Sequence, residues 1–247
     1  MRAFWDVYGL IRSTFMYRLP GHTRRSRAFY RAFLKPGDLA FDIGAHLGDR
    51  IDAFRATGAR VVAVEPQPAF QTALKVLYRR DRDVTIVPAA VGAAPGTARM
   101  MISKRTPTMS TLARDWAKTL PESARFADVR WDHEIEVELT TLDALIATHG
   151  LPAFTKIDVE GFEADVLEGC TRPLPCLSFE VIPAAPAVTI RCLDRLDALG
   201  TYEFNLSIGE SKQMLWENWL TRADVDAWMA KQPDDGPSGD IYARLRR

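Results

Sequence analysis

Two neighbouring stretches constrain this chain more than any others: FDIGAHLGDR from Phe41 to Arg50, and VVAVEP from Val61 to Pro66. Together they read as a buried strand, a glycine turn, a helix, and a second strand that ends on a carboxylate. The apolar runs lack polar alternation, as expected of strands covered on both faces of a parallel sheet. Gly44 and Gly48 permit a tight turn and a close backbone approach. Glu65 follows Gly44 by about 20 residues, the spacing at which an acid takes a ribose diol while the turn and the helix N-terminus face the rest of the ligand.

The remaining chain extends this pattern. Leu39 to Ile43, Val61 to Val64 and Val84 to Val87 are expected strands, and Phe70 to Arg79 an expected helix. Asp49 is a candidate cap for a helix ending at Gly58. Strand, helix, strand, helix, strand implies a parallel sheet with right-handed crossovers. The rhythm then breaks. Thr97 to Ser103 and Glu134 to Leu139 read as strands flanking a polar insertion at about 104–133, expected to be hairpin-like with a mobile tip. Thr141 to His149 is an expected helix, Phe154 to Val159 a fourth core strand, Cys176 to Val181 a fifth, and Val188 to Leu199 a helix closed by Gly200. Tyr202 to Leu206 and Ile241 to Leu245 read as the last strands. Between them, at about 211–237, lies a tryptophan-rich and mostly helical insert in which Thr221 and Asp224 form a capping-box pattern.

Ahead of the sheet, residues 1–35 are expected to be a helical extension, two short helices broken at Pro20-Gly21, and residues 36–247 the main domain. The extension interleaves aromatics with Arg2, Arg12, Arg18, Arg24, Arg25, Arg27 and Arg31. Either the helices pack over the sheet with solvated arginines, or they form an interfacial or substrate-lid element, the basic surface suiting peripheral contact with an anionic membrane. Overall, 32 basic residues balance 32 acidic ones, so no net charge argues for nucleic acid. Cys170, Cys176 and Cys192 are an odd set without metal-site spacing, which points to a reducing compartment. No apolar run reaches the ~18 residues of a membrane span, and the first residues make a poor signal peptide. A cytoplasmic protein is expected.

In an open parallel sheet, ligands lie beyond the carboxyl ends of the strands. Four polar sets should meet there: Asp42 to His46, Glu65-Pro66, Asp158 to Gly161, and Glu180. Strand alternation would send Asp158 and Glu160 to one side, where two carboxylates can orient or deprotonate an acceptor, or hold a metal. The plainer reading is a carboxylate that pairs with Lys156 or caps the next helix. His46 lies within the turn and His133 in the insertion, so placement explains each as well as catalysis does. Ser178 lacks the glycines of a nucleophile elbow.

FDIGAHLGDR, VVAVEPQP, PAAVG, TTLDALI, KIDVEGFEADVLEG and the late SGDIYA, in this order, resemble the FkbM family of S-adenosylmethionine-dependent methyltransferases. The resemblance covers roughly Pro36 to Glu180. It implies a doubly wound, Rossmann-like α/β sheet of seven strands with the last one antiparallel. It places Asp42, Gly44, Ala45 and Gly48 at the methionine end of the cofactor, Glu65 on the ribose, Pro66 and Ala90 beside ribose and adenine, and Asp158 and Glu160 toward the acceptor. It implies O-methylation of a glycan, a polyketide or a related small molecule; no residue is assigned as a metal ligand, and a metal-holding role for Asp158 and Glu160 stays open. Two other readings stay open on the residues alone: a nicotinamide-dependent oxidoreductase, against which Gly44 to Gly48 lacks the three-glycine fingerprint, and a non-catalytic cofactor-binding protein.

Overall fold

A computed structural model describes residues 20–103, 106–119 and 129–246. The first half of the N-terminal extension, the lysine-arginine pair at 104–105 and much of the first insertion lie outside these residues. The secondary-structure elements are α1 Pro20–Tyr30, β1 Leu39–Ile43, α2 Asp49–Arg55, β2 Arg60–Val64, α3 Pro68–Leu77, β3 Val84–Val87, β4 Ala90–Val91, β5 Gly96–Ile102, α4 Arg114–Thr119, β6 His133–Thr140, α5 Leu142–His149, β7 Phe154–Ile157, α6 Glu163–Glu168, β8 Cys176–Val181, α7 Pro186–Leu199, β9 Tyr202–Ile208, α8 Arg222–Met229 and β10 Gly239–Leu245.

The main sheet has seven strands in the order β3-β2-β1-β7-β8-β10-β9. All neighbours pair in parallel except β10, which runs antiparallel to both β8 and β9. The doubly wound α/β sheet implied by the resemblance is therefore present, with its last strand reversed. Alternation divides β1 and β2 between two cores. Leu39, Phe41, Ile43, Val62 and Val64 enter the core shared with α5, α6 and α7, while Ala40, Val61 and Ala63 enter the core beneath α1 and α2. A second, three-stranded sheet, β4-β6-β5, stands beside the carboxyl ends.

Several boundaries differ from expectation for local reasons. Asp49 does not cap α2: the N-cap is Gly48, at φ 80° with no side-chain hydrogen bond, and α2 stops at Arg55. The tryptophan-rich insert is helical only over α8, which Thr221 and Asp224 do open with a capping box. Its earlier part is irregular, tied down where Leu220 bridges Phe204 and where the Asn205 side chain bonds Trp216. The first insertion contains α4, whose Trp116 is 6% exposed. β7 ends at Ile157, two residues short of the expected strand.

Of the two readings of the N-terminal extension, packing over the sheet holds for its described part. Tyr30 is fully buried, edge-on to Phe54 with ring centroids 4.7 Å apart and 5.7 Å from Phe154. Arg25, Arg27 and Arg31 are exposed. Tyr30 closes the face of the sheet that lies behind the glycine turn. Tyr30→Ala is expected to lower stability by about 3–5 kcal/mol, as a lost buried aromatic does, measured by denaturant unfolding. An effect below 1 kcal/mol would show that α1 is dispensable to the core.

Candidate active site

The strand order reverses between β1 and β7, and a cavity opens at their carboxyl ends. It holds about 930 Å³ of empty space, part of it open to solvent. Four segments build it. After β1 comes the turn Gly44 to Arg50; after β2 come Glu65, Pro66 and Gln67; β4 and its approach supply Ala89, Ala90 and Val91; after β7 come Asp158, Val159, Glu160 and Phe162. Met100, Thr108, Ser110 and Leu112 close it from the second sheet and the insertion.

The glycine turn is built by the protein's own backbone. The N–H groups of Gly44 and Ala45 both donate to the carbonyl of Val64, at 3.0 and 3.1 Å, and Asp158 N–H donates to the carbonyl of Ile43 at 3.0 Å. Gly44 has φ 86°, and a Cβ there would lie 1.9 Å from the Asp158 carbonyl oxygen. Its glycine is needed for approach to the β7 loop rather than to a ligand. A Cβ on Gly48 would strike the Tyr78 hydroxyl at 2.6 Å. Ala45 is buried, and neither Ala45 nor Gly48 lines the cavity. Asp42, 1% exposed, sits behind the turn, and burial pushes its carboxyl to about 7 against the pull of Lys156.

Glu65 is held at the tip of β2. Its two oxygens accept the N–H groups of His46 at 2.9 Å and Gln67 at 2.8 Å, which leaves lone pairs for further donors. Burial raises its carboxyl to about 7, with the two backbone donors opposing. His46 packs against Phe70 at a tilt, ring centroids 4.0 Å apart, and burial lowers its imidazole to about 4. A neutral ring under a phenyl group is a wall of the turn, not a base for neutral pH. His133 is exposed at the start of β6.

Asp158 and Glu160 do meet, though not by strand alternation. Glu160 takes a left-handed φ of 56° in the turn after β7, held by the Thr111 hydroxyl, which donates to its carbonyl at 2.6 Å. Glu163 ties the same turn from inside by accepting the N–H groups of Val159 at 3.0 Å and Gly161 at 3.2 Å. Oxygens of Asp158, Glu160 and Glu180 then lie within 4.8 Å of one another. Their surroundings separate them. Burial favours the neutral form of Asp158, but the Lys156 ammonium bonded to it, with Arg50 behind, brings it below the usual carboxylate range. Among the described residues no cation bonds Glu160, and Lys156 acts on it only from a distance. Burial, then the charges of Glu180 and Asp158, hold it well above that range. One carboxylate is fixed as an anion, and its neighbour is poised to hold a proton.

Thus the cavity collects Gly44, Glu65, Pro66, Ala90, Asp158 and Glu160, and leaves Asp42, Ala45 and Gly48 behind its wall. Arg50, Glu210 and Thr111 were not foreseen. Arg50 was visible inside the first motif. Glu210 and Thr111 reach the site only through tertiary structure.

Residues 42–184 match the family described as the methyltransferase FkbM domain. The chain belongs to that family. S-adenosylmethionine is accordingly its cofactor. Three solved structures show the breadth of the likeness. A TehB-like S-adenosylmethionine-dependent methyltransferase from Corynebacterium glutamicum shares 9% identity with a TM-score of 0.51, covering 99% of each chain. A precorrin-6y C5,15-methyltransferase from Geobacter metallireducens shares 12% with a TM-score of 0.47, over 90% of this chain and 87% of the other. Aeropyrum pernix fibrillarin, solved with natively bound S-adenosyl-L-methionine, shares 14% with a TM-score of 0.38, over 85% and 67%. No curated protein matches the sequence. The residues present fit this cofactor. A buried carboxylate with free lone pairs, an apolar ledge at Ala89 to Val91 and anionic groups at the far end suit a diol, an adenine and a sulfonium in turn.

The asymmetry between the acids has a measurable result. Lys156 is 1% exposed and pairs with Asp158. Asp158→Asn strands that ammonium and is expected to cost about 3–5 kcal/mol of stability at pH 7. Glu160→Gln, replacing a group that already holds a proton, is expected to change stability by less than about 1 kcal/mol. Equal losses in urea melts would mean that Glu160 is also paired as an anion.

Proposed function

We propose that this methyltransferase transfers its methyl group to a hydroxyl oxygen of a small molecule, a glycan, a polyketide or a related metabolite, with Asp158 and Glu160 on the acceptor side. One observation carries the reading: beside the cavity, a carboxyl group that favours its proton stands next to a carboxylate that does not. When bound, the cofactor supplies an electrophilic methyl on a good leaving group. The protein's tasks are alignment, exclusion of water and removal of the acceptor's proton.

In this reading Glu65 accepts the ribose hydroxyls, Gly44 and Pro66 border the sugar, and Ala90 lies against the adenine. Asp42, Ala45 and Gly48 support the methionine end from behind, by fixing the turn. Glu160 is the base. It acts in its ionised form, taking the acceptor's proton as the hydroxyl oxygen takes the methyl group, while Asp158, held by Lys156, hydrogen-bonds and orients that hydroxyl. Met100, Leu112 and Phe162 give that side an apolar wall, with Thr108 and Ser110 as its polar points, which supports a small acceptor with mixed surfaces. The protein acts in the cytoplasm in this reading, where its three unpaired cysteines would stay reduced. Among the described residues no helix is long and apolar enough to cross a membrane. The exposed arginines of α1 support contact with an anionic lipid surface or acceptor.

The deciding experiment is methyl transfer from labelled S-adenosylmethionine to a panel of hydroxyl-bearing glycans and polyketides. Glu160→Gln is expected to cut turnover by about 10²–10⁴-fold with cofactor affinity retained. In the wild type, turnover rises with pH as Glu160 gives up its proton, and the variant loses that rise. Wild-type rates in the variant across pH 6–9 would remove Glu160 as the base.

Cofactor binding is checked apart from turnover. Calorimetry with S-adenosylhomocysteine is expected to show affinity rising from pH 6 to 8, because ribose hydroxyls bind the charged form of Glu65, whose carboxyl titrates near 7 in the free protein. Glu65→Ala should weaken binding by about 10²–10⁴-fold, two hydrogen bonds to a charged acceptor. NAD should give no heat. An unchanged affinity would take Glu65 off the ribose.

A further inference from the structure

Among the described residues, Arg50 is the one cavity-lining cation that the proposed chemistry leaves without a task. It is the second residue of α2, 7% exposed, and its side chain runs along the wall beneath Asp158. Nη1 bonds Asp49, and Nη2 bonds both oxygens of Glu210, each at 3.0 Å. Nε is buried and finds no acceptor among the described residues. A guanidinium presents its donors as a flat fork suited to a carboxylate, and a buried one requires an anion beside it.

Its present anion is an unusual choice. Glu210 comes from the loop after β9, far along the chain, and its side chain is 45% exposed although Arg50 is enclosed. The same carboxylate bonds the Lys212 ammonium at 2.7 Å, on a side chain 1% exposed. Lys212 itself holds a left-handed φ of 52°, three residues after the positive-φ Gly209. Glu210 therefore has a second cation to stay with if it releases Arg50, whereas Arg50 cannot follow it outward. Lys156 differs: its ammonium is enclosed and committed to Asp158.

We propose that Arg50 is the cavity's carboxylate receptor, that its ligand is the α-carboxylate at the methionine end of the cofactor, and that Glu210 occupies the fork until that carboxylate replaces it. The exchange swaps one anion for another on the same guanidinium, so the charge of the buried cluster stays balanced. Nε provides a donor that Glu210 does not use. This rests on S-adenosylmethionine being the cofactor, and it places the methionine end beside α2, opposite Ala90.

The test compares S-adenosylmethionine with its decarboxylated analogue, which keeps the sulfonium and the amine, by calorimetry in wild type, Arg50→Gln and Glu210→Gln. No acceptor is needed. Wild type should bind the carboxylated form more tightly. Arg50→Gln should weaken it by about 10²-fold, the loss of a charge-assisted pair, and leave the analogue within about threefold. Glu210→Gln removes the competitor and should tighten the carboxylated form several-fold with no effect on the analogue. This second variant keeps Arg50 with Asp49 and carries the test if Arg50→Gln does not fold. Equal weakening of both ligands in Arg50→Gln overturns the proposal, and so does unchanged binding of both, which would assign the fork to a carboxylate on the acceptor. Weaker binding of both ligands in Glu210→Gln also overturns it, making the Arg50–Glu210 pair a brace. A wild type that binds neither ligand overturns the cofactor assignment itself.

Discussion

Where β1 and β7 lie side by side, the chain leaving Ile43 passes the carbonyl of Asp158 so closely that only a residue without a Cβ fits. The rest of the site depends on that contact. It sets the turn in the left-handed region at Gly44, sends α2 away from Gly48 and brings the Asp158 carboxylate to the crevice. It also fixes the separation between the β1 turn, which borders Glu65, and the β7 turn, which carries Glu160. Any side chain at Gly44 would push these two halves apart and would carry strain at its own φ as well. A substitution there acts on the architecture before it acts on any ligand.

Electrostatics then divides the labour. Several acidic side chains converge on one crevice with few cations to match. Lys156 and Arg50 lie on one side of it, beneath Asp158 and beside Glu210. Those two acids are accordingly kept charged, although burial works against both. Glu160 and Glu180 lie on the other side and are held toward their neutral forms. The positions of Lys156, Arg50 and Lys212, more than the identity of the carboxylates, decide which acid is an anion and which can exchange a proton.

Much of this was legible in the sequence, because the information is local. Unbroken apolar runs such as Leu39 to Ile43 and Val61 to Val64 announce strands buried on both faces. Thr141 and Thr221 mark the helix starts where their hydroxyls are found. Glu65, Asp158 and Glu160 stand at or just past strand ends, where the topology of a parallel sheet brings them to one crevice. What was not legible depends on distance or on competition. Alternation did not place Glu160, since β7 ends early and a left-handed turn aims it instead. Asp49 looked like a cap, but the tight turn gives that position to Gly48. Glu210 arrives from a loop some 160 positions after Arg50 in the chain, and no periodicity signals it. The aromatics and arginines before the sheet left two readings open, and only the packing of Tyr30 shows that the described part of this segment completes the core.

The described part of the first insertion both lines the cavity and braces the β7 turn. Its hold on the site is narrow and specific. Thr111 donates to the carbonyl of Glu160, and Trp116 lies so close over Gly161 that a Cβ there would be 2.5 Å from the indole. Trp116 and Trp131 meet edge-on at 6.1 Å, and the Trp131 indole donates to the carbonyl of Met109. These contacts anchor the insertion to the backbone of the β7 turn, while Thr108, Ser110 and Leu112 line the cavity. The geometry of the proposed base and the shape of the acceptor wall are therefore set by the same short segment. Changes at the lining positions can alter the acceptor without disturbing Glu160, because Thr111 and Trp116 hold the turn independently of them. Changes at the two anchors would move the base and the wall together, so a new acceptor is reached through the lining residues and lost through the anchors.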